Sequence, residues 1–290
     1  MEPPSQTRSQ ESMSFDSQRS LWLVVLGALL CVSVQATALH SGVAPSLRTH
    51  QPPSILVPHT TVTPSVDGSA NDPAWNTSAC VPALSLSVGP QSDGLTALPT
   101  QVQVLWDEKY LYFRFTCRGD DAQSPYTHRD DPLYKADAIE MFLDPKGDAR
   151  EWVEVEASPN NVIFDKLFLL TADPVSGRDG VLVAPIRQRD LWTDVAWNLD
   201  GLRTSVRKVR NADGTTTWIA DLAVPADPLL RRLGASQFSP MTLRGNLVRY
   251  HWFGSTSQQK LLAMNWASVA FGYPHVSPQA MGSLVLVHGR

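Results

Sequence analysis

The chain has 290 residues, with 24 Lys and Arg against 28 Asp and Glu, a formal net charge of −4 and a pI near 6.0. That length gives room for one large domain or two small ones. The acidic balance, with no basic stripe, argues against a nucleic-acid partner, and no segment has the pattern of a membrane-surface helix.

In chain order, the first feature is a leader. Leu21 to Val34 is a continuous apolar run following Arg19, shorter than the roughly 20 residues a membrane-spanning helix needs. Ala36-Thr37-Ala38 then supplies a small-x-small cleavage pattern, so residues 1–38 read as a signal peptide and the mature chain starts near Leu39. The segment before Arg19 carries acids as well as arginines, which makes Met13 a candidate start. An uncleaved anchor is the rival reading, and a lipid at Cys31 is disfavoured by the bulky Leu30. The expected destination is secreted or periplasmic. Residues 39–54, rich in Pro, Ser and His, read as a linker, and residues 55–290 as the folded domain. Cleavage would remove Cys31 and leave Cys80 and Cys117. In an exported protein these two can form one disulfide or remain two separate thiols.

Short β-rich runs then recur: 100–106, 111–117, 138–143, 152–157, 162–169, 202–209, 216–224, 243–250 and 283–287. Asp107-Glu108-Lys109 and Asn211-Ala212-Asp213-Gly214 read as hairpin turns, so consecutive strands should pair antiparallel. One helical signal stands out, from Pro225 to Gly234, with a cap at Asp227, Pro228 at the first position and Gly234 as stop. Many strands and one short helix predict an all-β fold, an antiparallel β-sandwich or jelly roll.

The segment Asp137-Ala138-Ile139-Glu140-Met141-Phe142-Leu143-Asp144-Pro145 places a carboxylate inside an apolar strand. Side chains alternate between faces, so Glu140 and Phe142 point away from Ile139, Met141 and Leu143. In Trp152-Val153-Glu154-Val155-Glu156-Ala157-Ser158 the same alternation puts Trp152, Glu154 and Glu156 together. Neighbouring strands would gather Glu140, Glu154, Glu156, Phe142 and Trp152 on an open outer face. Such a cluster needs cations or hydrogen-bonding ligands to neutralise it. Arg114, and Arg249 or its neighbours, are the candidate cations.

Carboxylate, arginine and aromatic groups together suit hydrogen bonding to and stacking on a sugar. A glycosidase dyad and a surface salt-bridge network are weaker alternatives. Calcium is a further possibility, with the sheet carboxylates, Asp120 and Asp121, or Asp130 and Asp131 as ligands, although no spacing fits an EF-hand loop. Nucleophile elbow, HExxH, phosphate-loop and CxxC motifs are absent from the sequence, and His251 and His275 read as structural when taken alone.

Five motifs, in order, resemble the family 9 carbohydrate-binding module: Asp67-Gly68 with Asp72-Pro73-Ala74-Trp75; 104–113; 137–144; 218–225; and the closing 275–284. The resemblance implies a β-sandwich, structural calcium in some members, and a non-catalytic site where two tryptophans hold a sugar and a glutamate hydrogen-bonds it. Glu140 matches that glutamate. Tyr134 falls at or beside the first tryptophan and His275 at the second, while Glu154 and Glu156 fall near the family's arginine and asparagine. The expectation is a secreted carbohydrate-binding domain accessory to polysaccharide degradation, partnered by an oligo- or polysaccharide at Glu140, Tyr134, His275, Trp152, Glu154, Glu156 and Arg114. The alternatives are an exported haem or electron-transfer sandwich with Met264 and His275 as axial ligands, a structural module whose sugar site has decayed, and a hydrolase.

Overall fold

The computed structural model describes residues 52–87, 94–119, 122–172, 186–254, 258–269 and 274–288. The leader, most of the linker, Cys31, Asp120 and Asp121 lie outside the described residues. Among the described residues, no helix is long and apolar enough to cross a membrane.

Sheet A contains β1 (Ser54–Pro58), β14 (Gly282–Val287), β12 (Thr242–Phe253), β6 (Ala138–Asp144), β7 (Glu151–Ala157), β8 (Ile163–Leu170) and β9 (Leu191–Asp194), in that spatial order. β13 (Lys260–Asn265) joins β12 and also pairs with the two-residue β3 (Ser85–Leu86). Sheet B has the order β10 (Arg203–Arg210), β11 (Thr216–Pro225), β5 (Tyr110–Gly119), β4 (Thr100–Trp106) and β2 (Ala79–Val81). The strand pairings are antiparallel except β1 with β14, which run parallel. The predicted all-β sandwich is therefore the observed class, with that one parallel edge added.

Alternation explains the layers. Ile139, Met141 and Leu143 of β6 lie opposite Ala157, Val155 and Val153 of β7, and all six belong to the main core with Trp106, Phe113, Phe115 and Trp218 of sheet B. A buried Leu or Phe side chain contributes about 1.5–3 kcal/mol, so this face dominates stability. Trp106 also ties the sheets by donating its indole N–H to Val57 O at 3.0 Å.

The expected turn after β4 is built on Asp107, whose Oδ1 accepts from Lys109 N and Tyr110 N, both at 2.8 Å. The helix differs from expectation. α1 covers Ala226–Leu230 with Pro225 as its N-cap, followed by a 3-10 turn to Leu233. Asp227 does not cap it but pairs with Arg231 one turn on, at 3.0 Å. Gly234 does end the segment, in the left-handed region at φ 70°, where glycine lacks the Cβ penalty.

Cys80 and Cys117 are separate thiols, one exposed and one buried. Cys80 pairs with Gln103, on the side of sheet B that bears Arg114, whereas Cys117 pairs with Trp218 on the core side. Their side chains leave opposite faces of one sheet, so no disulfide links them. Burial pushes the Cys117 thiol up to about 11.

Candidate functional site

The outer face of sheet A collects the predicted carboxylates. β6 and β7 are neighbours, with Glu140 directly opposite Glu156 and Phe142 opposite Glu154. On β8, Phe164 follows Glu156 and Lys166 follows Glu154 across the same face. One carboxylate oxygen from each of Glu140, Glu154 and Glu156 can be chosen so that all three lie within 4.8 Å of one another.

The expected open face is a buried one. Glu140, Glu154 and Glu156 are 1%, 4% and 0% exposed, because residues outside the strands pack over this side. Ile186, Met281 and Val276 join Phe142, Trp152, Phe168, Val248 and Tyr250 in a second apolar cluster. Alternation correctly separates the two faces of a strand, but it cannot reveal what later chain covers the outer one.

Charge is poorly balanced here. Lys166 Nζ lies 2.9 Å from Glu154 Oε2, so three carboxylates face one ammonium. The Lys166–Glu154 contact is close but not aligned as a hydrogen bond, Glu140 Oε2 lacks a partner, and Glu156 meets only the carboxyl of Glu154. Burial, then the Glu154 charge, hold Glu140 well above the ordinary glutamate value of 4.5, with Lys166 and a hydrogen bond from Tyr250 opposing. Burial, then Glu140 and Glu154, do the same to Glu156. Ionising all three without a ligand is unfavourable, since buried carboxylates without donors keep their protons.

Aromatic rings flank the cluster. Tyr134, 41% exposed, meets Phe164 edge-on at 6.3 Å, and its carbonyl accepts from Trp252 Nε1 at 3.0 Å. On the other side Trp152, Phe168 and His275 form a stack, with centroids 5.4 and 5.9 Å apart. Lys166 lies over Phe164 and Phe168 at 5.0 and 4.6 Å, a favourable cation–π placement. Burial lowers the His275 pKa, opposed by Glu154.

Three expected members of the site are placed elsewhere or spent. Trp152 is fully buried within its stack and offers no platform. Arg114 is in sheet B, where Nε and Nη2 donate to Asp221 Oδ1 and Oδ2 at 2.7 and 2.8 Å. Its guanidinium also lies 4.5 Å over Trp75. Arg249 faces inward and donates to Thr100 Oγ1 and Arg118 O, both at 3.0 Å. Neither arginine neutralises the carboxylates. Lys166 does so, and sequence reasoning missed it, although Phe164-Asp165-Lys166-Leu167-Phe168 puts Phe164, Lys166 and Phe168 on one face by simple alternation.

The haem pair also fails. Met264 is in the inter-sheet core, its sulfur accepting from Leu98 N at 3.2 Å, whereas His275 packs on the opposite face of sheet A. Two ligands on opposite sides of a sheet cannot share one iron.

Calcium takes six to eight oxygens. At the glutamate cluster an ammonium already lies against Glu154, which disfavours a cation there. Asp131 is occupied in a turn, its Oδ2 accepting from Thr127 N and His128 N at 3.1 and 2.9 Å. The Asp120 and Asp121 candidates lie outside the described residues.

Known proteins give a consistent comparison. Residues 66–165 match the family described as "Carbohydrate family 9 binding domain-like". A candidate carbohydrate-binding protein from Bacteroides uniformis ATCC 8492 is similar in structure, at 12% identity and TM-score 0.58, covering 82% of this chain and 100% of the other. A family 9 carbohydrate-binding module from Caldicellulosiruptor kristjanssonii in complex with glucose shows 13% identity and TM-score 0.54, covering 81% and 97%. Its counterpart in complex with cellotriose shows 14% identity and TM-score 0.53, covering 82% and 95%. The search of curated proteins returned no match. The sequence resemblance to the family 9 module thus stands on the matched segment, and the shared fold on the structures.

Proposed function

We propose that this chain is a non-catalytic carbohydrate-binding protein whose site lies at the rim of the outer face of sheet A, between the partly exposed Tyr134 and His275, with the buried Glu140, Glu154 and Glu156 beneath it. The carrying observation is the set of buried carboxylate oxygens without donors, held between aromatic rings. Sugar hydroxyls are donors that leave the cluster's charge unchanged, and sugar C–H faces suit the rings. The family match over 66–165 includes Glu140, and similar folds are known in complex with glucose and cellotriose.

The reading extends to export through the N-terminal leader, a role beside polysaccharide-degrading enzymes, and structural calcium near Asp120 and Asp121. It assigns no hydrolase activity, because the family that matches residues 66–165 is described as a binding domain. Calorimetric titration of the full chain with xylo-, cello- and manno-oligosaccharides tests it. Binding to at least one series is expected, weakened by about tenfold or more (~1.4 kcal/mol per tenfold) in Glu140→Ala. Flat titrations with every series would instead favour a module whose sugar site has decayed, as the burial of Trp152 would allow.

A further inference from the structure

A second concave site lies away from the carboxylate face. At the β9 edge of sheet A, Glu151 and Trp192, together with the inward-facing row Val153–Leu167–Asp194, help line a cavity of about 570 Å³. Its other walls come from the loop carrying Trp197 and Asp200, from α1, and from the 3-10 turn after it with Arg231 and Arg232. That volume falls within the roughly 300–1,000 Å³ of small-molecule sites.

Its chemistry is specific. Trp192 is 48% exposed, a large apolar surface left open beside polar groups, and Trp197 is anchored against the main core. Arg232 pairs with Glu151, and Arg231 pairs with Asp227 at 3.0 Å. Asp194 accepts from Ala196 N at 3.0 Å, while Asp200 is exposed and unpaired among the described residues. Three acids and two arginines in the lining nearly cancel, so no strongly charged ligand is favoured. A flat indole with forked guanidinium donors and carboxylate acceptors suits a neutral, polyhydroxylated ring.

We infer that this cleft is a second carbohydrate-binding site, taking a short neutral oligosaccharide against Trp192. The inference rests on the reading of the chain as a carbohydrate binder, but not on the location of the first site. It makes the protein bivalent, able to hold two segments of polysaccharide with a gain in avidity.

Proton–nitrogen NMR of the full chain, following tryptophan indole signals and the backbone amides of Tyr134 and Glu140 with xylotriose, cellotriose and mannotriose at millimolar concentration, separates the two sites. The Trp192 signal is assigned with Trp192→Phe. At least one trisaccharide should shift the Trp192 and Trp197 signals in both the wild type and Glu140→Ala, and Trp192→Ala should weaken about tenfold the binding read at the Trp197 signal. Trp192 is half-exposed, so its replacement leaves the fold intact. A silent Trp192 signal overturns the second site, whatever happens at Tyr134 and Glu140. Shifts at Trp192 with no response of Tyr134 or Glu140 would uphold the cleft and overturn the outer-face site. No response at either overturns both.

Discussion

The two sheets each bury ionisable groups on their outer faces, and they treat them differently. On sheet B, Arg114 and Asp221 are 3% and 0% exposed, joined by two hydrogen bonds. Asp221 Oδ2 also accepts from Gly68 N at 2.9 Å, and Trp75 covers the guanidinium. Gly68 has φ 70°, and a Cβ there would lie 2.7 Å from Arg207 Cβ, so the motif glycine is required by the turn that delivers its N–H. Every charge in that cluster is answered. On sheet A three carboxylates share one lysine, and several oxygens have no donor. A closed set of this kind holds a fold together, whereas an open set stores unmet hydrogen-bonding capacity that a ligand can use.

The sharpest way to break this contrast is Asp221→Ala, which strands a buried guanidinium. A loss of about 3–5 kcal/mol is expected, read by urea denaturation, with no change in sugar affinity among the molecules that remain folded. A loss below about 1 kcal/mol would mean that the sheet B cluster is not closed as described.

Next in size is Glu156→Gln. Folded-state pKa values of Glu140 and Glu156 are raised, so the folded chain holds protons that the unfolded chain releases. Their contribution to stability is present below the ordinary value of 4.5 and is lost as pH rises toward the raised values. Glu156→Gln brings a donor in place of a carboxylate. It should flatten that decline and add about 1–3 kcal/mol at pH values above it, measured by thermal melts across pH. A pH-independent gain or a loss would contradict the charge imbalance.

The smallest effect comes from an exposed pair. Asp227→Asn removes the ion pair to Arg231, both more than 60% exposed. It should change stability by no more than about 0.3–0.5 kcal/mol, which calibrates the two buried clusters against a solvated control.

Much of this was readable in the sequence where alternation is strict. β4 spans Thr100–Trp106 as predicted, and Glu140, Glu154 and Glu156 share a face because β6 and β7 are adjacent. β1 was missed because Ser54–Pro58 is short and proline-flanked, and β13 because Leu261, Leu262 and Met264 show no period of two. Arg114 was correctly read as facing outward, but alternation says nothing about which sheet a strand joins. Asp221 lies 107 residues away from it, and such partners are set by topology rather than local pattern. Burial of the glutamates involves Ile186, Val276 and Met281, which come later in the chain.

The most direct test of the central claim is chemical-shift mapping of the full chain with whichever oligosaccharide binds in calorimetry. The account predicts shifts at Tyr134, Glu140, Lys166 and Tyr250, with Trp75, Arg114 and Asp221 unmoved. Shifts centred on the sheet B cluster, with the Glu140 face silent, would contradict it.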